Sequence, residues 1–113
     1  MKKIIYKLQN RFMRTCYNDI NYDTLQKMLN NNSNIVLIDV RTKDEFQYNH
    51  LNGAINIPVQ DFSEALIKKK INNKNTVIIV YCEYGGRSKK AVKKLIKMGY
   101  NNVYNLDGGI DGI

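Results

Sequence analysis

Val77-Ile78-Ile79-Val80-Tyr81-Cys82-Glu83-Tyr84-Gly85-Gly86-Arg87-Ser88 is the stretch on which the reading of this chain turns. The β-branched run Val77–Tyr81 predicts a buried strand. After Ser88 the pattern changes period. Ala91, Val92, Leu95 and Ile96 recur on one face, and Lys89, Lys90, Lys93, Lys94 and Lys97 fill the other, which predicts a helix from Ser88 to Met98 with Gly99 as its C-cap. One cysteine therefore sits where a strand stops, a glycine loop curls and a helix begins. That arrangement aims backbone N–H groups and the positive end of the helix dipole at the sulfur. A thiolate is favoured there, and the thiolate is the reactive form of cysteine. Cys82 is thus a candidate nucleophile in an anion-binding cradle.

Working outward, the chain alternates strands and helices. Asp23–Leu29 reads as a helix capped by Asn21 or Asp23, with Leu25, Met28 and Leu29 inward. Ile35–Ile38 is a second apolar strand that ends at Asp39-Val40-Arg41. Thr42 and Glu45 have capping-box spacing and open a short helix through Phe46. Ala54–Ile57 is a short strand stopped by Pro58, and a helix begins at Asp61 or Ser63 and runs to Lys70. Val103–Leu106 is a last strand before Asp107-Gly108-Gly109. Near-continuous apolar strands between helices predict one α/β domain: a mostly parallel central sheet of about five strands with helices on both faces. Sites in open α/β sheets form at the carboxyl ends of strands. Asp39 and Cys82 both stand at such ends, so one rim should carry both.

The 113 residues fit a single domain. No apolar run approaches the ~20 residues of a membrane span, and the apolar part of Met1–Lys7 breaks too early for a secretory signal, so a cytoplasmic protein is expected. Cys16 and Cys82 stand in unrelated contexts, which argues against a disulfide scaffold. The single histidine excludes a multi-histidine metal site, and no cofactor is expected. Residues 1–18 form a basic extension with no acidic side chain, ahead of a domain at 19–113. Ile4, Ile5, Leu8 and Phe12 could share one face of a short helix there. The formal charge of +8 could attract anions, acidic partners or nucleic acid. A lysine and asparagine bias spread over the whole chain is the preferred reading, and no nucleic-acid partner is expected.

The motifs, taken together, resemble the rhodanese family. They are Asp39-Val40-Arg41, Glu45-Phe46, His50-Leu51-x-Gly53-Ala54-Ile55-Asn56-Ile57-Pro58, Cys82-x-x-Gly85-x-Arg87-Ser88, Gly99-Tyr100 and Leu106-x-Gly108-Gly109. Each is weak alone, but they occur in order from about residue 20 to the last. The resemblance implies a single rhodanese-like domain whose cysteine accepts a sulfane sulfur as a persulfide. The donor would be thiosulfate or a persulfide or polysulfide, and the acceptor cyanide, a thiol or a protein. Two departures stand out. Asn52 replaces the family's usual proline, and the tryptophan that usually follows the Gly-Gly turn is absent, which should loosen the C-terminus.

Each loop residue carries an expectation. Cys82 is catalytic, and the substrate is bound by Glu83, Tyr84, Gly85, Gly86, Arg87 and Ser88. Gly85 and Gly86 permit positive φ. Arg87 either binds the oxyanion of the donor or makes an ion pair that holds the loop. Ser88 is first a helix N-cap and then a partner of the sulfur. Glu83 opposes a thiolate and a dianionic donor if it points inward. Asp39, Arg41 and Glu45 are supporting residues, with an Arg41–Glu45 pair on the short helix. His50 reads as structural and Cys16 as a bystander. Two alternatives stay open. One is a carrier or binding module without turnover. The other is phosphatase or arsenate-reductase chemistry, whose loop resembles Cys-x5-Arg where this chain has Cys-x4-Arg, a smaller ring better suited to a single sulfur.

Overall fold

A computed structural model describes residues 17–113. The expected helix over Ile4–Phe12, and Cys16, lie outside the described residues. Five parallel strands form one sheet in the order β1-β5-β4-β2-β3: β1 Asn18–Ile20, β2 Val36–Asp39, β3 Ile55–Asn56, β4 Val77–Tyr81 and β5 Asn102–Leu106. The helices are α1 Tyr22–Asn31, α2 Lys43–Tyr48, α3 Glu64–Lys70 and α4 Gly86–Lys97. Short 3₁₀ turns occupy Val59–Asp61 and Ile110–Gly112.

Strand alternation divides the core into two layers. Ile38, Val40, Ile78, Val80 and Val103 face α3 and α4, where Ile67, Ile71, Ala91, Val92 and Leu95 meet them. Leu37, Ile79, Tyr81, Leu106 and Ile20 face the other way onto Leu25 of α1, with Met28 and Leu29 partly buried beside it. β4 lies at the centre and is buried on both faces, as its unbroken apolar run requires. The caps follow local chemistry. Asn21 accepts from the Thr24 N–H at 2.8 Å, Ser63 accepts from the Leu66 N–H at 3.1 Å, and Thr42 with Glu45 completes a reciprocal capping box.

Four expectations change. β1 was not anticipated: three residues, only one of them buried, are too few to show a period, and Asn18–Ile20 is a strand because β5 pairs with it. β3 keeps only two residues at a sheet edge, although Ile57 and Val59 donate their N–H groups to Asp39 and Val40 and extend the contact. Ser63, not Asp61, opens α3, and Asp61 closes the preceding 3₁₀ turn. The lysines are also not spread evenly. Lys68–Lys70 on α3 and Lys89, Lys90, Lys93, Lys94 and Lys97 on α4 are exposed in one helical layer, whereas α1 opposite carries only Asp23 and Lys27. Within the described residues, the positive charge is concentrated on one face.

Candidate active site

β4 delivers Cys82 to the carboxyl rim beside the end of β2. Asp39 is paired in register with Tyr81, and the Val40 N–H donates to the Tyr81 carbonyl at 3.0 Å. Cys82 and Asp39 therefore share one rim, as the strand ends implied. The loop then turns at Gly85, whose φ of 119° lies in the region that favours glycine. This turn starts α4 at Gly86, two residues earlier than the apolar period suggested. Gly85 is the N-cap, which displaces Ser88 from that role into the first turn. Gly86 has helical backbone, so the positive-φ requirement rests on Gly85 alone.

The consequence is a cradle around a sulfur that is 1 % exposed. The N–H groups of Gly85 and Ser88 donate to Cys82 Sγ at 3.1 and 3.3 Å, and the Ser88 hydroxyl lies 3.5 Å from it. Burial pushes the thiol up. The side-chain and backbone hydrogen bonds of Ser88, with the N–H groups of Gly85 and Arg87, outweigh that push, and the net direction is below an ordinary cysteine. Tyr84 stands 71 % exposed at the loop tip.

Two ion-pair systems tie the rim together. Arg41, 1 % exposed, donates from Nε and Nη2 to the Asp39 carboxylate at 2.8–3.2 Å, from Nη1 to Glu83 at 3.1 Å and from Nη2 to the Asn49 carbonyl at 2.5 Å. Burial works against its charge, but the hydrogen bonds and charge of Asp39, with Glu83 added, hold it more firmly protonated than a free arginine. Arg87 grips both oxygens of Glu45, at 2.7 and 3.2 Å. This pair and the hydrogen bonds of Thr42 draw the Glu45 carboxyl down to about 2.

The expected Arg41–Glu45 pair is not formed. Arg41 precedes α2, so the four-residue helical spacing does not apply to it, and the capping box turns Glu45 back toward Thr42. Glu83 directs its carboxylate to Arg41, which offsets its charge beside the sulfur. Of the two roles weighed for Arg87, the ion pair holding the loop is the one formed here. His50 is exposed, with Nδ1 2.8 Å from the Phe46 carbonyl and its ring stacked on Phe46 at 3.8 Å.

Sequence reasoning missed Asn105. It is fully buried on β5 and shares a hydrogen bond of 2.5 Å with the Ser88 hydroxyl. A lone asparagine inside the strand run Val103–Leu106 was the available signal, since strands disfavour that residue. The C-terminal segment also reaches the cysteine loop. The N–H of Ile110 donates to the Cys82 carbonyl and that of Asp111 to the Glu83 carbonyl, each at 2.9 Å, so these residues brace the loop without the tryptophan.

Among the described residues, no helix is long and apolar enough to cross a membrane. The family model "Rhodanese-like domain" matches residues 21–113. Thiosulfate sulfurtransferase PspE of Escherichia coli is 41 % identical over 71 residues, which cover 63 % of this chain and 67 % of that protein. A tRNA uridine(34) hydroxylase of Buchnera aphidicola is 40 % identical over 82 residues, 70 % of this chain; the chain spans 26 % of that protein's length. A solved rhodanese with anions from E. coli superposes with a TM-score of 0.63 at 38 % identity, covering 70 % of this chain and 91 % of that one. Both the motifs in order and these matches lead to one conclusion: the chain belongs to the rhodanese-like domain family.

Proposed function

We propose that this chain is a rhodanese-type sulfurtransferase that carries sulfane sulfur as a persulfide on Cys82, within a domain that begins with the strand Asn18–Ile20, at the end of the basic extension. The observation that carries the reading is the convergence of backbone N–H groups on one buried sulfur. Those donors are fixed by the loop and need no reorganisation to meet a negative charge. The Cys82 thiolate attacks the outer sulfur of thiosulfate. A new S–S bond forms, the donor's own S–S bond breaks, and sulfite leaves with the electron pair. Cyanide, a thiolate or an acceptor protein then attacks the outer sulfur, and Cys82 leaves as the thiolate it began as. Tyr84 is exposed on the same loop, within two residues of the nucleophile, and is the side chain proposed to meet an incoming acceptor. Glu83 is bound to Arg41, so a dianionic donor meets less repulsion than its sequence position implied. A reactive free thiol fits a reducing, cytoplasmic setting.

The phosphatase or arsenate-reductase alternative needs its arginine turned toward the oxyanion. Here Arg87 is held by Glu45, which favours sulfur transfer. The test is the intact mass of the protein before and after thiosulfate, with Cys82→Ser alongside. A gain of ~32 Da on the wild type alone is expected from a nucleophilic cysteine. A gain only with a polysulfide would name a different donor. No gain with any donor would overturn the reading in favour of a binding module.

A further inference from the structure

A hydrogen-bond chain runs from the exposed Asp19 of β1 through the buried Asn105 of β5 and Ser88 to the nucleophile. Asn105 Nδ2 donates to Asp19 Oδ1 at 2.9 Å, the Ser88 hydroxyl meets Asn105 Oδ1 at 2.5 Å, and the same hydroxyl lies 3.5 Å from Cys82 Sγ. We infer that Asn105 is a positioning residue that governs, through Ser88, how strongly the Cys82 thiolate is held. Proton counting carries the inference. An ionised Asp19 can only accept, so it fixes the amide with nitrogen outward and oxygen toward Ser88. Ser88 has one hydroxyl proton and three acceptors within reach: Asn105 Oδ1, the Gly85 carbonyl at 3.0 Å and the sulfur. The shortest contact goes to Asn105. In the thiol form, S–H donates to Ser88 and Ser88 donates to Asn105, and every group is satisfied. When the thiol ionises, Ser88 can turn to the sulfur only by stranding a buried amide oxygen. Asn105 therefore competes with the thiolate for the Ser88 proton and weakens, without abolishing, the pull of that hydroxyl on the sulfur, and Asp19 holds Asn105 in the competing orientation.

The charged groups around the sulfur are paired with one another. Arg87 from α4 bears on it and is held by Glu45, while Glu83 is held by Arg41, which is held by Asp39. Asp107 and Asp111 beyond β5 are exposed. None of these is altered in the test.

The inference rests on Cys82 being the nucleophile, but it is tested without any sulfur donor. Iodoacetamide alkylation of full-length protein is followed against pH by the mass of the Cys82 peptide. Asn105→Leu frees the Ser88 proton, so the midpoint should fall and the rate below it should rise about 3- to 10-fold. In a Ser88→Ala background the same substitution should leave the midpoint where Ser88→Ala puts it. An unchanged midpoint in folded Asn105→Leu, or an equal fall without the Ser88 hydroxyl, would overturn the inference. If Asn105→Leu does not fold, Asp19→Ala at its exposed position decides by the same comparison. It frees the amide to flip, and any direct charge effect survives in Ser88→Ala and subtracts out. A chain that shows these shifts but never gains sulfur would refute the transfer reading and leave the relay standing.

Discussion

Arg87 and Glu45 are 42 residues apart in sequence and meet in a two-point ion pair that clamps α2 to the start of the helix behind Cys82. Each side chain is about a third exposed, at 36 % and 34 %. The pair therefore contributes little to global stability and more to the placement of the loop. Breaking it with Glu45→Gln should cost about 1 kcal/mol or less in urea unfolding. It also frees the Arg87 guanidinium to face the donor, so KM for thiosulfate should change by a larger factor than kcat. An unfolding cost several times larger would show that the pair is structural first.

Acid should expose the same pair. The Glu45 carboxyl is held at about 2, below its ordinary 4.5, so its contribution to stability is complete above the unfolded value. That contribution is lost as pH falls through the folded value. The stability difference between wild type and Glu45→Gln should be full at about pH 6 and shrink steadily between about pH 4.5 and 2. A difference independent of pH over that window would assign the effect to something other than the carboxylate.

Arg41 should behave differently because it is buried. Arg41→Leu strands the Asp39 carboxylate, itself fully buried, and should cost about 3–5 kcal/mol. Arg41→Lys should recover only part of this. One ammonium cannot reach Asp39, Glu83 and the Asn49 carbonyl together. Denaturant melts of both variants check the order, and equal stability of Arg41→Lys and wild type would contradict it.

Two glycines near the sulfur should respond in opposite directions. A Cβ on Gly109, at φ 64°, would collide with the carbonyl oxygens of Glu83 and Cys82. Gly109→Ala should therefore push the cysteine loop aside, cost about 2–4 kcal/mol and suppress persulfide formation. Gly86 has helical backbone and open space where a Cβ would stand. Gly86→Ala should stabilise by about 0.5–1 kcal/mol. Thermal melts of the pair, with donor-dependent mass gain, give both readings.

The lysine layer on α3 and α4 should steer anions toward the rim. Lys89 and Lys90 lie in the first turns of α4, next to the loop. The rate of persulfide formation with thiosulfate should fall as ionic strength rises from about 0.02 to 0.2 M, because screening shortens the field's reach. Lys89→Glu with Lys90→Glu should lower the low-salt rate several-fold and flatten that dependence. A rate indifferent to salt would remove any steering role.

The chain's own residues determined the alternation of strands and helices, the capping box at Thr42 and Glu45, the central strand Val77–Tyr81 and the position of Cys82 at its end. These features are local. A buried strand must be apolar throughout, a helix must keep its period, and caps and tight turns demand particular side chains. Tertiary structure decided which partner each charge found. Arg41 reaches Glu83 and Glu45 reaches Arg87 across 42 residues, because β2 and β4 lie side by side and bring their carboxyl ends to one rim. It also made a strand of Asn18–Ile20, gathered the lysines on one face and set Asn105 behind Ser88. Long-range pairing leaves no period and no spacing in a sequence, so these contacts became readable only when the sheet closed.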